Sequence, residues 1–405
     1  MVRADGSVPY RAVSPDPSTA APPIEPKLLL AVGASPSALL PRLRDAWEGG
    51  PAVLPLDPAA PPRLRGAMIA ALKPGAIVKP GGLVELPGGI PVAGDAVAVV
   101  PTSGSTGAPK GVVLSRRALE ASVELGSRRA GSDPAVPWVA CLPVTHVGGI
   151  LVLLRAMAGG TPPIVMDGFD AAAIAALPHP VHLAVVPTML RRLLDAGADP
   201  SRWQTVLIGG ARTPVEMRER VPQAIRTYGM TETSGGCVYD GVPLDGVQVA
   251  EAPDGRLRIG GPTLMDGYRM AVATGIDADG WHKTSDIGSV AEDGTVTVLG
   301  RADDVIVTGG EKVVATQVAA RLEEHPAVAE AEVIGVPDPE WGQRAVAVVV
   351  PAQVGAILSL ALLRSFVTDA MPRYAAPQDL MVVNTLPKLP SGKVDRAALA
   401  RAVTG

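Results

Sequence analysis

Val97-Ala98-Val99-Val100-Pro101-Thr102-Ser103-Gly104-Ser105-Thr106-Gly107-Ala108-Pro109-Lys110-Gly111 is the stretch on which the reading of this chain turns. Its first residues are an uninterrupted apolar run, short enough for a buried strand. The run ends in a loop of small residues. Glycine there lets backbone N–H groups come close to a phosphate, and Thr102, Ser103, Ser105 and Thr106 add hydroxyl donors. Lys110 adds a positive charge. The spacing predicts an anion cradle between a strand and a helix. It is not a Walker A loop, because Pro109 precedes the lysine and Gly111 follows it.

The same alternation extends on both sides. Residues 28–32, 97–101, 183–186 and 205–208 read as short buried strands, and 67–72, 173–177 and 190–196 read as helical. That order predicts an α/β sheet with parallel portions. Near residue 240 the character changes. Residues 257–259 and 296–298 are short strands among glycine-rich turns, which suggests a smaller β-rich portion. Beyond Gly300-Arg301-Ala302-Asp303-Asp304 the chain reads strand, helix (313–324), strand (331–335), strand (345–350), helix (359–370) and tail. The division expected is a loosely held lead-in over 1–26, an N-terminal α/β domain over 27–302, and a small α+β domain over 303–405.

Composition narrows the function. The chain has 405 residues, 47% apolar and 19% charged, with a net charge of −4. That is long enough for more than one domain, since a single core rarely passes roughly 250–300 residues. No long basic run is present, so nucleic acid and an anionic membrane are poor partners. Residues 345–363 carry no charge, but Pro351, Gln353 and Gly355 interrupt them, and no membrane span is expected. Cys141 and Cys237 are the two cysteines and match no metal spacing. With no apolar signal core in residues 1–6, a reducing cytoplasm is the expected location.

Further candidates lie downstream. Gly209-Gly210-Ala211 follows a strand and could let a flat base lie against the backbone. In Tyr228-Gly229-Met230-Thr231-Glu232-Thr233 a carboxylate next to a triphosphate would need a cation between them, so Glu232 is a Mg²⁺ candidate. Asp286 could accept from paired hydroxyls, and Arg301 could reach a ribose or phosphate oxygen. Lys393, in Ser391-Gly392-Lys393, is bland when read alone.

Taken in order, these motifs resemble the adenylate-forming enzymes, which include acyl-CoA synthetases, peptide-synthetase adenylation domains and luciferases. The resemblance runs from about residue 97 to 396. It implies that the chain converts a carboxylic acid and ATP to an acyl-adenylate and pyrophosphate. The activated acid then passes to a nucleophile, expected to be coenzyme A. By resemblance, Thr102 through Gly107 (Thr102, Ser103, Gly104, Ser105, Thr106 and Gly107) and Lys110 hold the β and γ phosphates. Gly209, Gly210, Ala211, Tyr228 and Gly229 line the adenine, Thr231 meets the α-phosphate, and Glu232 binds Mg²⁺. Asp286 and Arg301 take the ribose. Asp303 is the hinge of a mobile C-terminal domain, and Lys393 enters the site when that domain closes. Thr308-Gly309-Gly310-Glu311-Lys312 resembles the loop lining the thiol tunnel.

Within the family, Leu142-Pro143-Val144-Thr145-His146-Val147-Gly148-Gly149, Leu153-Leu154-Arg155 and residues 228–245 look most like the o-succinylbenzoate ligases of menaquinone biosynthesis, especially the short actinobacterial form. His146 is then a gate near the reacting carboxylate, and Thr188, Ser234, Gly235 and Gly236 are pocket candidates. Arg155 could meet a second substrate carboxylate or form a structural ion pair. The rival readings are an aryl acid ligase that loads a carrier protein, and an adenylate-binding module without catalysis. A homodimer is compatible with the sequence.

Overall fold

The computed structural model describes residues 25–103, 109–166, 168–178, 180–213, 215–270, 274–353, 357–389 and 394–404. Two large sheets form the frame. The first has the order Gly267–Arg269, Pro109–Ser115, Ala96–Ser103, Ala52–Leu56, Leu29–Gly33, Ala76–Lys79, Gly82–Glu85. The four strands from Ala96–Ser103 to Ala76–Lys79 are parallel, and the edges are antiparallel. The strand Leu29–Gly33 shows why its sequence is continuously apolar. Leu30 and Val32 face one core while Leu29 and Ala31 face another. Side chains alternate across a strand, so a sheet covered on both sides needs apolar residues at every position.

The second sheet runs Val242–Pro243, Gly235–Tyr239, Ala224–Met230, Trp203–Ile208, Val181–Val185. Its last three strands are parallel, and the Gly235–Tyr239 strand turns back antiparallel on Ala224–Met230. A third, four-stranded antiparallel sheet joins Gln248–Glu251, Arg256–Gly260, Trp281–Val290 and Val296–Arg301. These three sheets match the expected α/β frame with a β-rich addition.

A fourth sheet follows, built on the Val328–Asp338 and Gly342–Pro351 strands with a hairpin of Val305–Thr308 and Glu311–Val314 beside them. The helices Ala315–Glu323 and Leu360–Thr368 cover one face through Val318, Leu322, Leu363 and Val367. The helix Arg396–Thr404 covers the other through Leu399, which meets Ile334, Val336 and Val348. The uncharged run 345–363 is divided between a buried strand and the Leu360–Thr368 helix. Among the described residues no helix is long and apolar enough to cross a membrane.

Two local expectations need correction. The phosphate-loop motif does not run from a strand into a helix. Residues 109–115 form a second strand, hydrogen-bonded antiparallel to the first with Thr102 opposite Lys110. Val112, Val113 and Leu114 prefer a pleated, half-buried surface, and the helix starts only at Arg116, capped by Ser115. The helix expected from 313 starts at Ala315, because Val313 and Val314 pair with Ile306 and Val305.

Candidate active site

The site gathers around the antiparallel turn between Ala224–Met230 and Gly235–Tyr239. Gly229 makes the close approach possible. A Cβ there would lie 2.0 Å from the Gly235 carbonyl oxygen and 2.8 Å from Gly236 Cα. Thr231–Thr233 then forms one 3₁₀ turn, and Ser234 takes a left-handed conformation with φ of 51°. The Thr233 hydroxyl staples this turn. It accepts from Met230 N–H at 2.9 Å and lies 2.7 Å from the Gly235 carbonyl. The Met265 N–H donates to the Glu232 carbonyl at 2.9 Å. Sequence order thus places Tyr228, Thr231, Glu232 and Ser234 within a few residues of a rigid bend.

Glu232 receives a hydrogen bond on Oε1 from the Tyr268 hydroxyl at 2.9 Å. The Lys110 ammonium lies 5.3 Å from the centre of the Tyr268 ring, on the strand that leaves the phosphate loop. Burial and the charge of Glu232 both push the Tyr268 phenol up from its ordinary value, so it stays a donor. The sequence reading missed Tyr268. It lies on the three-residue strand Gly267–Arg269, where Tyr268 is opposite Val112 and Arg269 opposite Gly111. Arg269 pins that strand through hydrogen bonds to the carbonyls of Leu72, Lys73, Ile90 and Pro91. No motif signals it. Its one hint is rarity, since the whole chain holds five tyrosines.

At the other end of the bend, the Tyr228 hydroxyl donates to Asp286 Oδ2 at 2.8 Å. Burial first, and Asp286 second, push the Tyr228 phenol well up. Asp286 is paired in register with Arg301, whose guanidinium lies 3.7 Å from Asp286 Oδ1 and 3.1 Å from Asp303 Oδ2. Asp286 and Arg301 sit on neighbouring strands and not on surface turns. Gly209, Gly210 and Ala211 leave the Trp203–Ile208 strand beside this group. A Cβ on Gly209 would come 2.5 Å from the Thr227 hydroxyl, so the backbone there stays bare.

The acyl-pocket candidates form a third group. Thr188 lies in the first turn of the Pro187–Asp195 helix. His146 is exposed at the N-cap of the Val147–Gly159 helix. That helix packs on the bend, since a Cβ on Gly235 would come 2.4 Å from Leu151 Cδ1. Ser234 is fully buried with a hydroxyl that has no partner, while its carbonyl accepts from Ser122 at 2.8 Å. Gly236 follows on the strand. One helical turn past Leu151, Arg155 is 6% exposed. It donates to the Tyr239 hydroxyl at 3.2 Å, lies 5.2 Å from the Trp138 ring centre, and leaves Nε without a partner.

A cavity of about 630 Å³ is lined by Arg155 with Trp138, Glu120 and Glu124. Two others adjoin Thr188. One, of about 310 Å³, lies between the N-terminal sheets and the C-terminal sheet, with Thr188 and Ala211 on one wall and Glu330 and Lys388 on the other. The second, of about 720 Å³, shares Val186 and Thr188 with it and runs past Phe169 to Arg191 and Arg192. Gly104, Ser105, Thr106, Gly107 and Lys393 lie outside the described residues, as does the side chain of Ser103. Among the described residues no group of three or more His, Cys, Asp or Glu could hold a metal unaided. Glu232 offers one carboxylate. That fits Mg²⁺, which takes most of its ligands from phosphates and water.

Comparison with known proteins agrees with this arrangement. A family model described as AMP-binding enzyme matches residues 57–272, and one described as AMP-binding enzyme C-terminal domain matches residues 317–393. A protein of Mycobacterium tuberculosis named "Probable 2-succinylbenzoate--CoA ligase" is 40% identical over 332 residues, covering 77% of this chain and 85% of the relative. The 2-succinylbenzoate–CoA ligase of Bacillus cereus is 33% identical over 342 residues, covering 76% of this chain and 70% of the relative. The fold is that of the o-succinylbenzoate CoA synthetase of Bacillus subtilis, solved in complex with its acyl-adenylate intermediate. The TM-score is 0.78 over 93% of this chain and 88% of that one, at 23% identity.

Proposed function

The chain belongs to the AMP-binding enzyme family, and from that premise we propose that it joins o-succinylbenzoate to coenzyme A in two steps. In the first, a substrate carboxylate oxygen forms a bond to the α-phosphorus of ATP while the bond to pyrophosphate breaks. In the second, the thiol sulfur bonds to the acyl carbon and AMP leaves. The nucleophile of the first step is already an anion, so no base is needed. What the reaction needs is positive charge and positioning to bring two anions together.

The residues divide that work. Thr102 and Lys110 face the departing pyrophosphate, and Glu232, oriented by Tyr268, supplies the protein ligand to Mg²⁺, which when bound neutralises phosphate charge. Gly209, Gly210 and Ala211 leave room for adenine, and Tyr228 sets Asp286 toward the ribose with Arg301 beside it. Lys393 is the adenylating lysine, carried by a C-terminal domain that turns about Asp303. Coenzyme A enters through the cavity of about 720 Å³, a size within the usual range for a ligand site. Its thiol end would lie at Thr188, and its phosphates would lie toward Arg191 and Arg192.

The observation that carries the choice of acid is Arg155. Its guanidinium is buried, meets two neutral groups, and keeps one donor unpaired. Leu151 and Arg155 are i and i+4 on one helix face, about 6 Å apart along the axis. Leu151 packs on Gly235, and Arg155, one turn on, lines a cavity of about 630 Å³. A buried charge with an open donor suits a substrate that brings a second carboxylate. Hydroxamate trapping with Mg-ATP tests the assignment across succinylaryl and plain aryl acids. o-Succinylbenzoate is expected to be trapped fastest. Benzoate outrunning it would remove the substrate, and no acid-dependent pyrophosphate release from a broad panel would remove catalysis altogether.

A further inference from the structure

The chain on either side of residues 390–393 is held by one pair of carboxylates. Glu330 and Glu332 lie two apart on the Val328–Asp338 strand, so their side chains share a face. Ahead of the lysine, Lys388 Nζ lies 3.0 Å from Glu330 Oε2. After it, Arg396 pairs with Glu332, donates to the Val333 carbonyl at 2.9 Å, and lies 3.3 Å from Asp304 Oδ1. The two legs are also joined to each other. Lys388 bridges antiparallel to Val394, and Asp395 N–H donates to the Pro387 carbonyl at 2.8 Å. Glu330 has a second cation, since Arg191 Nη1 lies 3.0 Å from its Oε1, and Arg191 is one turn along the helix that begins at Pro187-Thr188.

We infer that Glu330 and Glu332 are positioning residues for adenylation: they fix Lys388 and Arg396, the anchors on either side of Lys393 in the chain, and tie them to the helix bearing Thr188. This rests on the role proposed for Lys393. A carboxylate that served general stability would be free to pair anywhere on the surface. These two instead hold the residues that flank one functional side chain, and Arg396 carries the restraint to Asp304, next to Asp303. The adenylating lysine has to meet two anions at once, so small freedom at its base is costly to the first step. The second step does not use that lysine, so its rate at saturating coenzyme A should not sense the change.

The test measures the half-reactions separately, as acid-dependent ATP–pyrophosphate exchange and as thioester formation from presynthesised acyl-adenylate. For Glu330→Gln the exchange kcat is expected to fall about three- to fivefold with the KM for ATP unchanged, the upper scale of a partly exposed charge pair. At saturating coenzyme A, which removes any effect through Arg191 or Lys388 on its binding, thioester formation should stay within about twofold. Lys388→Met, a change at a more exposed side chain that should fold regardless, is expected to reproduce the split, and Lys388→Arg to restore the exchange rate. Equal loss in both steps, or full exchange activity in Lys388→Met, overturns the inference. Lys393→Ala is run beside them. If it retains exchange, the role of Lys393 fails. If it loses exchange while Glu330→Gln keeps it, only the positioning role fails.

Discussion

Tyr268→Phe removes a single hydroxyl, and the structure says what that hydroxyl does. It donates to Glu232 Oε1 at 2.9 Å. A hydrogen bond to a charged acceptor contributes about 1.5–3 kcal/mol net, and this one is half-buried, so the lower end applies. About 1.4 kcal/mol is a factor of ten. The Mg²⁺ concentration for half-maximal adenylation should therefore rise about tenfold, because Glu232 loses its fixed direction. The ring remains, so its contact with the Lys110 ammonium at 5.3 Å survives. Tyr268→Ala loses that contact too, worth about 0.5–1 kcal/mol more, and should be a few-fold worse than Phe. The phenol is held protonated by burial and by the Glu232 charge, so the Phe effect should be the same from about pH 6 to 9. The assay is pyrophosphate release across a Mg²⁺ titration for the wild type, Tyr268→Phe, Glu232→Gln and the double variant. If the hydroxyl works through Glu232, the double variant is no worse than Glu232→Gln alone. Simple additivity, or an unchanged Mg²⁺ requirement in Tyr268→Phe, would refute the reasoning.

Three shorter predictions come from the same site. Gly229→Ala puts a Cβ 2.0 Å from the Gly235 carbonyl oxygen, and the strands must part by about 1 Å to reach the closest spacing real Cβ atoms tolerate. A shift of that size between Tyr228 and Glu232 should lower the exchange rate on the order of 10²-fold, while an unaltered rate would show that the bend is softer than drawn. Arg155→Met should cut the preference for o-succinylbenzoate over benzoate by about 10–100-fold without lowering the melting temperature, since it also removes a buried charge. A drop in melting temperature with preference intact would make Arg155 a structural residue. Tyr228→Phe should cost about 1.5 kcal/mol in urea unfolding at pH 8. The folded phenol is raised, so its contribution is complete below the unfolded value near 10 and shrinks as pH climbs past it. A cost that grows above that value would contradict the Asp286 contact.

The sequence made much of this site legible, for identifiable reasons. The central strands of the first sheet and the Val181–Val185 and Trp203–Ile208 strands of the second are buried, and a continuous apolar run such as residues 29–32 has few other uses. Glu232 and Asp286 stood out because a carboxylate near phosphate or ribose would have a chemical reason to be there. What escaped was determined by contacts between distant parts of the chain. The strand 109–115 was hidden because the residues after the loop do not announce their partner, which is the 96–103 strand returning on itself. Tyr268 was invisible because its place depends on Arg269 reaching four carbonyls in residues 72–73 and 90–91, nearly two hundred positions upstream. Arg155 was seen, but its two roles could not be separated until its partners were known to be neutral.

That last point bears on how such an enzyme changes its acid. The nucleotide end of the site is built from groups that hold one another: Tyr228 on Asp286, Asp286 near Arg301, Tyr268 on Glu232. Each partner lies on a different element of the chain, so altering one displaces a neighbour that the proposed chemistry also needs. The proposed acyl end is carried by one helix and the turn on which it packs. Leu151 meets Gly235 and Arg155 meets Tyr239 on the facing strand, while His146 caps the start of the helix. A side chain changed there alters the depth or charge of the pocket and leaves the ATP contacts in place. Substrate range should therefore respond to substitutions at residues 146–155 and 234–236 with the KM for ATP held constant. A set of such variants whose ATP and acid constants moved together would mean that the two ends are mechanically one.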